Sequence, residues 1–89
     1  MNNNLILRAL ELGATDLDVS EKKDKRFYVV YDGKKIHFGA KTGKTFIDHK
    51  DEIKKNNWYA RHSKIKNKDG QYVINLPTSP SYWSANLLW

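Results

Sequence analysis

Three histidines are the residues of this chain whose type most invites a search for chemistry. His37, His49 and His62 lie 12 and 13 positions apart. A zinc site needs three or four ligands at the spacing of a known module, and the chain has no cysteine to supply thiolates. We therefore expect no metal site. His49 is expected to make a structural hydrogen bond at a helix start, and His62 to face either the core or the solvent.

A glycine-rich basic loop, residues 39–45, invites comparison with nucleotide-binding loops. The P-loop pattern needs two glycines five positions apart, whereas Gly39 and Gly43 are four apart. The loop amides, with Lys41 and Lys44, are suited to meeting a phosphate without catalysis. No serine has the surroundings of a nucleophile, and no carboxylates form a catalytic pair. The sequence predicts a protein without catalytic residues or cofactor, which is not an enzyme.

Positive charge is concentrated in the middle of the chain. Fifteen of the sixteen lysines and arginines lie between Lys22 and Lys68, with five acidic residues, so this stretch carries +10. Such a field attracts nucleic acid or an acidic protein surface, although many small basic proteins are simply soluble. The residues predicted to bind nucleic acid or an acidic partner are Lys34, Lys35, Lys41, Lys44, Lys54, Lys55, Arg61 and Lys64.

The size of the chain allows one small domain. Eighty-nine residues bury roughly 60–65% of the surface that the unfolded chain exposes. Eleven aromatic residues enlarge this thin core, since each buries about 150–250 Å². No apolar run approaches the roughly 20 residues of a membrane span, and the polar start MNNN does not resemble a secretory signal. We expect an intracellular protein without a membrane span.

An apolar helix is predicted near the start of the chain. Asn4 is suited to capping a helix over residues 5–12, and Gly13 is suited to its C′ position. The helix is apolar nearly all round, so either its own domain or a partner must cover it. The residues predicted to dock on a partner protein are Leu5, Ile6, Leu10 and Leu12. The charged segment of residues 14–26 is expected to be a solvated loop.

A β-hairpin is the clearest local prediction. Asp32-Gly33 joins two runs rich in aromatic and β-branched residues, which is typical of a two-residue type I′ turn. The turn fixes the register, so the two faces can be assigned. The face predicted to be core carries Phe27, Val29, Ile36 and Phe38. The opposite face, either half-buried or in contact with nucleic acid, carries Tyr28, Val30, Lys35 and His37.

A basic helix and a short third strand are predicted next. The helix begins at about Asp48 or Asp51 and ends at Ile65, with Thr45 and Asp48 spaced as in a capping box. Its buried face is expected to combine a strip of Ile53, Asn57 and Ala60 with a strip of Trp58 and Ile65. Trp58 is alternatively part of a stacking patch, although its spacing favours the core. Residues 71–74 are predicted to form the third strand.

A tryptophan-rich helix is predicted over residues 80–88. Ser79 is a good N-cap and Pro80 a good first residue. Trp83 and Leu87 share one face. This helix either closes the small core or anchors the chain in a partner, and the first alternative is favoured.

Several spaced strings resemble a known family. They are RFYVV and DGKKIHFG within residues 26–39, TFIDHKD (45–51), ARHSKI (60–65), SPSYWS (79–84) and LLW (87–89). They are similar to a family of short, uncharacterised proteins of nucleocytoplasmic large DNA viruses, over residues 25–89 and not over residues 1–24. The resemblance implies a giant-virus or iridovirus-like source, replication in the host cytoplasm and packaging in the virion. It assigns no catalytic residue.

Together these observations predict an α+β fold of one small domain. The hairpin, with its third strand, is packed by the basic helix and the C-terminal helix in residues 25–89, preceded by a helix and linker in residues 1–24. One predicted function is a minor virion component that bridges viral capsid or core proteins. The alternative is a nucleic-acid-binding protein without sequence preference, whose binding weakens by orders of magnitude between about 50 and 200 mM salt.

Overall fold

The computed structural model describes residues 3–41 and 44–89. Their contacts form an N-terminal unit, Met1–Gly43, and a C-terminal unit, Lys44–Trp89. The N-terminal unit contains helix α1 (Asn3–Glu11) and strands β1 (Asp16–Val19), β2 (Lys25–Tyr31) and β3 (Lys34–Ala40). The C-terminal unit contains helices α2 (Phe46–His49), α3 (Glu52–His62) and α4 (Pro80–Leu87), with a 3-10 turn over Val73–Asn75. An antiparallel sheet with separate helices confirms the predicted α+β class.

The β2–β3 hairpin has the predicted register. Tyr31 pairs with Lys34, and the ladder continues in step to the ends of the strands. Both turn residues have positive φ, 52° at Asp32 and 75° at Gly33, as a type I′ turn requires. On the predicted core face Val29, Ile36 and Phe38 are buried and Phe27 is half-buried. The hairpin prediction is therefore confirmed.

The third strand lies elsewhere than predicted. The sheet order is β1-β2-β3, so the third strand is β1, inside the segment expected to be a solvated loop. Only Leu17 of β1 is buried, while Asp16 and Asp18 each accept a hydrogen bond from the following backbone N–H, at 2.9 and 2.7 Å. These carboxylates accept hydrogen bonds from backbone N–H groups that would otherwise be unpaired along the open edge of the sheet. Because aspartate is rare inside strands, the sequence of β1 did not predict a strand.

Residues 71–74 do not form the predicted strand. A single bridge joins Lys66 to Tyr72, and the chain then enters the 3-10 turn. The Asn67 side chain accepts hydrogen bonds from the backbone N–H groups of Asp69 and Gln71, which closes a tight loop around Gly70. The loop satisfies locally the backbone groups that a longer strand would need for pairing.

Helix α1 packs against β1, and it is less exposed than predicted. Leu5 and Ala9 are buried, Leu5 at 8% exposure, so the assignment of Leu5 to a partner-docking surface was wrong. Ile6 and Leu12 are half-buried, and Leu10 is 45% exposed. Gly13 ends the helix with a φ of 102°, as its predicted C′ position requires. The predicted boundary at residue 24 stays a prediction, although the β1–β2 ladder crosses it.

The predicted basic helix is divided into two helices. Thr45 and Asp48 form the predicted capping box, but it begins the short α2, which ends where Lys50 adopts a left-handed conformation with a φ of 56°. Asp51 then caps α3, accepting hydrogen bonds from two backbone N–H groups of its first turn. The prediction of Asp51 as a helix start is confirmed. The predicted end at Ile65 was wrong, since α3 ends at His62.

The buried face of α3 also differs from the prediction. Trp58 is buried, which confirms its place in the core. Ile53 is 73% exposed, Ile65 is 46% exposed and Ala60 is exposed. Because Ile65 lies beyond the end of the helix, its spacing of seven from Trp58 does not place the two residues on one strip. A helix that buries one residue derives most of its stability from its caps and from Trp58.

Helix α4 carries the centre of the C-terminal unit. Ser79 caps the helix and Pro80 follows it, as predicted. Trp83 and Leu88 are completely buried, and Leu87 is 3% exposed. The indole Nε1 of Trp83 donates a hydrogen bond of 2.6 Å to the carbonyl of Pro77. Within the described residues, no helix combines the length and the apolar character needed to cross a membrane.

Candidate anion-binding cleft

A cleft of about 810 Å³ opens on the C-terminal unit. Its lining residues are Lys44, His49, Lys54, Asn57, Ala60, Arg61 and Trp89. Three of the eight predicted binding cations, Lys44, Lys54 and Arg61, therefore meet at one place. The described lining contains no Asp or Glu, so no acidic side chain of the cleft itself neutralises these cations.

Helix α3 supplies one wall of the cleft. Lys54, Asn57 and Arg61 are related as i, i+3 and i+7, so their side chains lie on one side of the helix. A rise of 1.5 Å per residue separates the α-carbons of Lys54 and Arg61 by about 10 Å along the helix axis. Both residues are exposed to solvent. The wall thus presents two cationic groups with an amide donor and acceptor between them.

His49 contributes a buried hydrogen-bond donor beside these cations. Its Nδ1 accepts a hydrogen bond of 2.9 Å from the backbone N–H of Asp51, the N-cap of α3. This bond confirms the predicted structural role of His49 and, in the neutral ring, leaves the proton on Nε2. Nε2 is buried and has no hydrogen-bond partner among the described residues. A buried donor of this kind is suited to an acceptor supplied by a ligand.

A column of aromatic rings ends at the cleft. His62 stacks on Trp58 at 4.0 Å between ring centroids and 12° between planes, and Trp58 stacks on Trp89 at 5.3 Å and 13°. Trp89 also approaches the His49 ring at 5.5 Å, tilted by 58°. The sequence left open whether His62 faces the core or the solvent. In the structure it is half-buried against Trp58. The column holds the Trp89 indole at the rim of the cationic cleft.

A hydrogen bond joins the helix that carries the cations to the helix that carries the core. The phenol of Tyr59 on α3 donates a hydrogen bond of 2.8 Å to the carbonyl of Ala85 on α4. The backbone N–H of Ile47 donates a hydrogen bond of 3.3 Å to the carbonyl of Leu88, which connects α2 to the end of α4. These two bonds fix the elements that carry Arg61, His49 and Trp89, so the cleft is built on ordered secondary structure.

The other five predicted cations lie outside the cleft lining. The ammonium of Lys35 lies 4.4 Å from the centre of the Tyr28 ring and 3.5 Å from the carboxylate of Glu21. Lys55 lies over the ring of Phe46, at 4.6 Å. The remaining three, which are exposed, are Lys34, Lys41 and Lys64. Two of the predicted binding residues are thus engaged by their own chain, and whether any of the five binds a partner stays a prediction.

The sheet carries a serine, a histidine and a glutamate whose order resembles a catalytic triad. Ser20 Oγ lies 2.7 Å from His37 Nδ1, and His37 Nε2 lies 4.0 Å from the Glu21 carboxylate. Ser20, however, is only 3% exposed, and its hydroxyl oxygen accepts a hydrogen bond from the backbone N–H of Lys22. A buried hydroxyl that already takes part in two hydrogen bonds is poorly placed to attack a substrate. These contacts fix the β1–β2 connection beside the sheet.

The charge of Glu21 is stabilised at this position. A hydrogen bond from its own backbone N–H lowers the pKa of Glu21 below its ordinary value of 4.5, and the charges of Lys35 and His37 act in the same direction. The residue is fully exposed, so solvent screens these interactions. Glu21 therefore remains ionised under neutral conditions and holds Lys35 over the sheet.

His49, Asn57 and Trp89 are members of the cleft that the sequence analysis did not assign to binding. Asn57 could have been found, because it is three positions from Lys54 and four from Arg61 on the same helix. Trp89 could not, since it is 28 positions from Arg61 and its place depends on the stacking with Trp58. The cations were visible in the composition, but the aromatic part of the cleft depends on the tertiary structure.

Comparison with known proteins identifies the family of this chain. Residues 15–62 match the family described as "Family of unknown function (DUF5754)". The chain is also 37% identical over 75 residues to "Uncharacterized protein L851" of Acanthamoeba polyphaga mimivirus, an alignment that covers 79% of this chain and 75% of that protein. No solved structure matches the chain. The chain belongs to this family.

The matches confirm the predicted relation to a giant-virus family of uncharacterised proteins, and they correct its boundary. Residues 15–24 fall within the family match, whereas the resemblance was expected to begin at residue 25. The added segment includes β1, the strand that the sequence analysis missed. The match continues through the hairpin and α2 to the end of α3, so it contains the helix wall of the cleft.

Proposed function

Starting from membership of this family, we propose that the protein is a non-enzymatic viral protein that binds nucleic acid without sequence preference. The observation that carries the proposal is the meeting of Lys44, Lys54 and Arg61 at one cleft whose described lining has no Asp or Glu side chain. Phosphate groups are the ligands that such a cluster attracts most strongly. Arg61 offers paired donors to phosphate oxygens, whereas the lysines act as point charges.

The charge of the C-terminal unit supports the same partner. Residues 44–89 contain eight lysines and arginines and four acidic residues, a net charge of +4. Residues 1–43 contain eight basic and six acidic residues, a net charge of +2. The unit that contains the cleft therefore has the larger positive charge, which favours approach of a polyanion.

The salt dependence of binding follows from the number of cations. Three phosphate contacts give a slope of about −2.7 for log K against log salt on duplex DNA. Raising the salt from about 50 to about 200 mM then weakens binding about 40-fold. This is a shallower dependence than a surface using all eight predicted cations would show. The slope thus measures how many of the eight take part.

Fluorescence anisotropy with a labelled duplex of random sequence tests the proposal. We expect binding at 50 mM salt, a slope near the value above, and a decrease of about 0.9 in the magnitude of the slope for Arg61→Gln. Lys68→Gln is the matched control, since Lys68 is exposed, lies in the same unit and does not line the cleft. Absence of binding at 50 mM both to this duplex and to a single strand of the same length, or equal effects of the two substitutions, would contradict the proposal.

A second candidate function is the bridging of viral capsid or core proteins by a minor virion component. The observation that favours it is the exposure of Leu7 and Leu10 on α1, at 56% and 45%. Two exposed leucines on one short helix are suited to an apolar protein contact. In this case the protein is expected in the virion and in the host cytoplasm, and docking on a partner is expected to change little with salt.

Particle composition distinguishes the second candidate from the first. We expect a fixed ratio of this protein to one capsid or core protein in purified particles, and loss of incorporation when Leu7 and Leu10 are both changed to serine. Both side chains are exposed, so the double variant is expected to fold, unlike a deletion of α1 that removes the buried Leu5. Unchanged incorporation of the double variant would refute docking through α1.

A further inference from the structure

The cleft contains more than the cations needed to attract a phosphate backbone. Beside the lysines and the arginine it is lined by Trp89, by Asn57 and by His49, whose buried Nε2–H has no hydrogen-bond partner among the described residues. A flat ring and neutral donors contribute nothing to charge neutralisation. They are, however, the groups that proteins use to hold unpaired nucleobases, by stacking and by hydrogen bonds to the base edge.

We propose that the cleft binds single-stranded nucleic acid, with neighbouring phosphates at Lys54 and Arg61 and an unpaired base against Trp89. The inference rests on the proposed nucleic-acid-binding function and specifies its ligand. Lys54 and Arg61 lie about 10 Å apart along α3, so neighbouring phosphates of one strand can reach both. A volume of about 810 Å³ lies in the range of about 300–1,000 Å³ typical of small-ligand sites, so a nucleotide can enter.

A duplex cannot use the aromatic part of this cleft. In a double helix the faces of each base are covered by its neighbours, and its Watson–Crick edge is paired. A duplex would therefore contact the cations and leave Trp89 and the His49 donor without a ligand. A single strand offers base faces to the ring and acceptor atoms to the donor. The arrangement thus favours single strands beyond what charge provides.

Two further aromatic rings support Trp89. Trp58 stacks on the Trp89 ring and His62 stacks on Trp58, so three nearly parallel rings form the column. Trp58 is buried and anchored in α3, which restrains the position of the half-buried Trp89 at the end of the column. A base placed on Trp89 would extend this column by one ring. A ring held in advance loses little conformational freedom when a base stacks on it.

An acidic protein segment is a poorer fit to the same lining. Carboxylates would satisfy Lys54 and Arg61, but an acidic peptide has no flat group that requires Trp89. It would also leave an aromatic surface beside charged ligands, whereas a nucleotide combines an anion with a flat ring in one molecule. The observations therefore favour a nucleotide ligand, and an acidic peptide serves as a competing ligand in the test.

Parallel titrations of the full chain test the proposal. The probes are a labelled twelve-nucleotide oligothymidylate, a twelve-base-pair duplex and a twelve-residue polyglutamate, each followed by anisotropy at about 100 mM salt. We expect the single strand to bind at least about 10-fold more tightly than the duplex. Trp89→Leu is expected to weaken binding of the single strand by about 5- to 100-fold and to leave duplex binding nearly unchanged.

Two controls separate loss of stacking from loss of folding. Tyr72→Leu removes an aromatic residue of the same unit that is 45% exposed and does not line the cleft, so binding should be unaffected. Trp89→Phe keeps a ring and is expected to restore most of the affinity. In addition, the imidazole NMR signals of His49 in the unmodified chain should shift when oligothymidylate is added, because its Nε2–H acquires an acceptor.

The possible failures of the two proposals are distinguishable. Equal affinity for single strand and duplex, with Trp89→Leu binding both normally and His49 signals unmoved, would overturn the single-strand inference and leave nucleic-acid binding intact. Lack of binding to either nucleic acid would overturn both proposals. Polyglutamate binding as tight as that of the oligothymidylate would overturn the inference in favour of an acidic protein partner.

Discussion

Replacing Trp83 by phenylalanine tests the core of the C-terminal unit. Trp83 has no exposed surface and lies in the middle of α4. Its Nε1 donates the 2.6 Å hydrogen bond to the Pro77 carbonyl. Phenylalanine keeps an aromatic ring in the same place but removes the donor and part of the buried ring surface. The substitution therefore isolates the contribution of the indole without emptying the site.

The cost of Trp83→Phe can be estimated from these two losses. The smaller ring buries about 40 Å² less apolar surface, which reduces the free energy of unfolding by about 1 kcal/mol. The Pro77 carbonyl is only partly buried, so leaving it without a donor costs about 1–2 kcal/mol. The sum is about 2–3 kcal/mol, a large part of the stability of about 4–13 kcal/mol expected for a chain of this length.

Thermal and urea unfolding, followed by circular dichroism, measure the effect. We expect the melting temperature of Trp83→Phe to fall by about 10–20 °C. Ile53→Ala is the control, because Ile53 is 73% exposed and its truncation should change the stability by less than about 0.5 kcal/mol. The helical pattern of the sequence predicts the opposite for Ile53, namely a core residue. A loss for Ile53→Ala that equals or exceeds that for Trp83→Phe would refute the described core.

Three further substitutions test the turn, the helix cap and the charged face of the sheet. Gly33→Ala should destabilise the chain by about 1 kcal/mol in urea unfolding, because φ is 75° although no atom lies within 4 Å of the added carbon; a neutral effect would refute the type I′ turn. Asp51→Ala should cost about 0.5–2 kcal/mol in the same assay and lower the helical signal, whereas an equal cost for Asp51→Asn would contradict the capping role. Lys35→Met should raise the pKa of Glu21 toward 4.5 in a carboxyl NMR titration. Because the pKa of Glu21 is lowered in the folded chain, its contribution to stability is present above about pH 4.5 and is lost as the pH falls through the folded pKa; an unchanged titration would refute the contact.

The predictable parts of the fold are those set by neighbours in the sequence. Asp32-Gly33 determines both the turn and the register of every β2–β3 pair, so the hairpin follows from local chemistry. Ser79-Pro80 fixes the start of α4 in the same way. By contrast, β1 is four residues long and contains two aspartates, and its strand character comes from pairing with β2. Tertiary pairing here overrides the weak local preference.

The helix α3 shows a second limit of sequence patterns. Its apolar residues have helical spacing, but spacing does not say which strip of the helix meets a neighbour. The structure buries Trp58 and leaves Ile53 in solvent. The left-handed Lys50 between α2 and α3 explains part of the difference, because it starts a new helix whose direction the sequence does not specify. A single periodic pattern read across both helices therefore assigns the wrong face.

Charge alone did not locate the candidate site, and the reason lies in what the cations contact. The sequence predicted Lys35, Lys55, Lys54 and Arg61 equally as binding residues. In the structure, Lys35 and Lys55 lie over aromatic rings of their own chain, whereas Lys54 and Arg61 line a cleft. A lysine already held by a ring or a carboxylate must give up that contact before it binds a phosphate, so it adds less to affinity and to the salt slope. The number of cations that act on nucleic acid should therefore follow the composition of the cleft and not the net charge of +6. A slope that required all eight predicted cations would show that the contacts of Lys35 and Lys55 yield readily to phosphate, and the cleft would lose its special role.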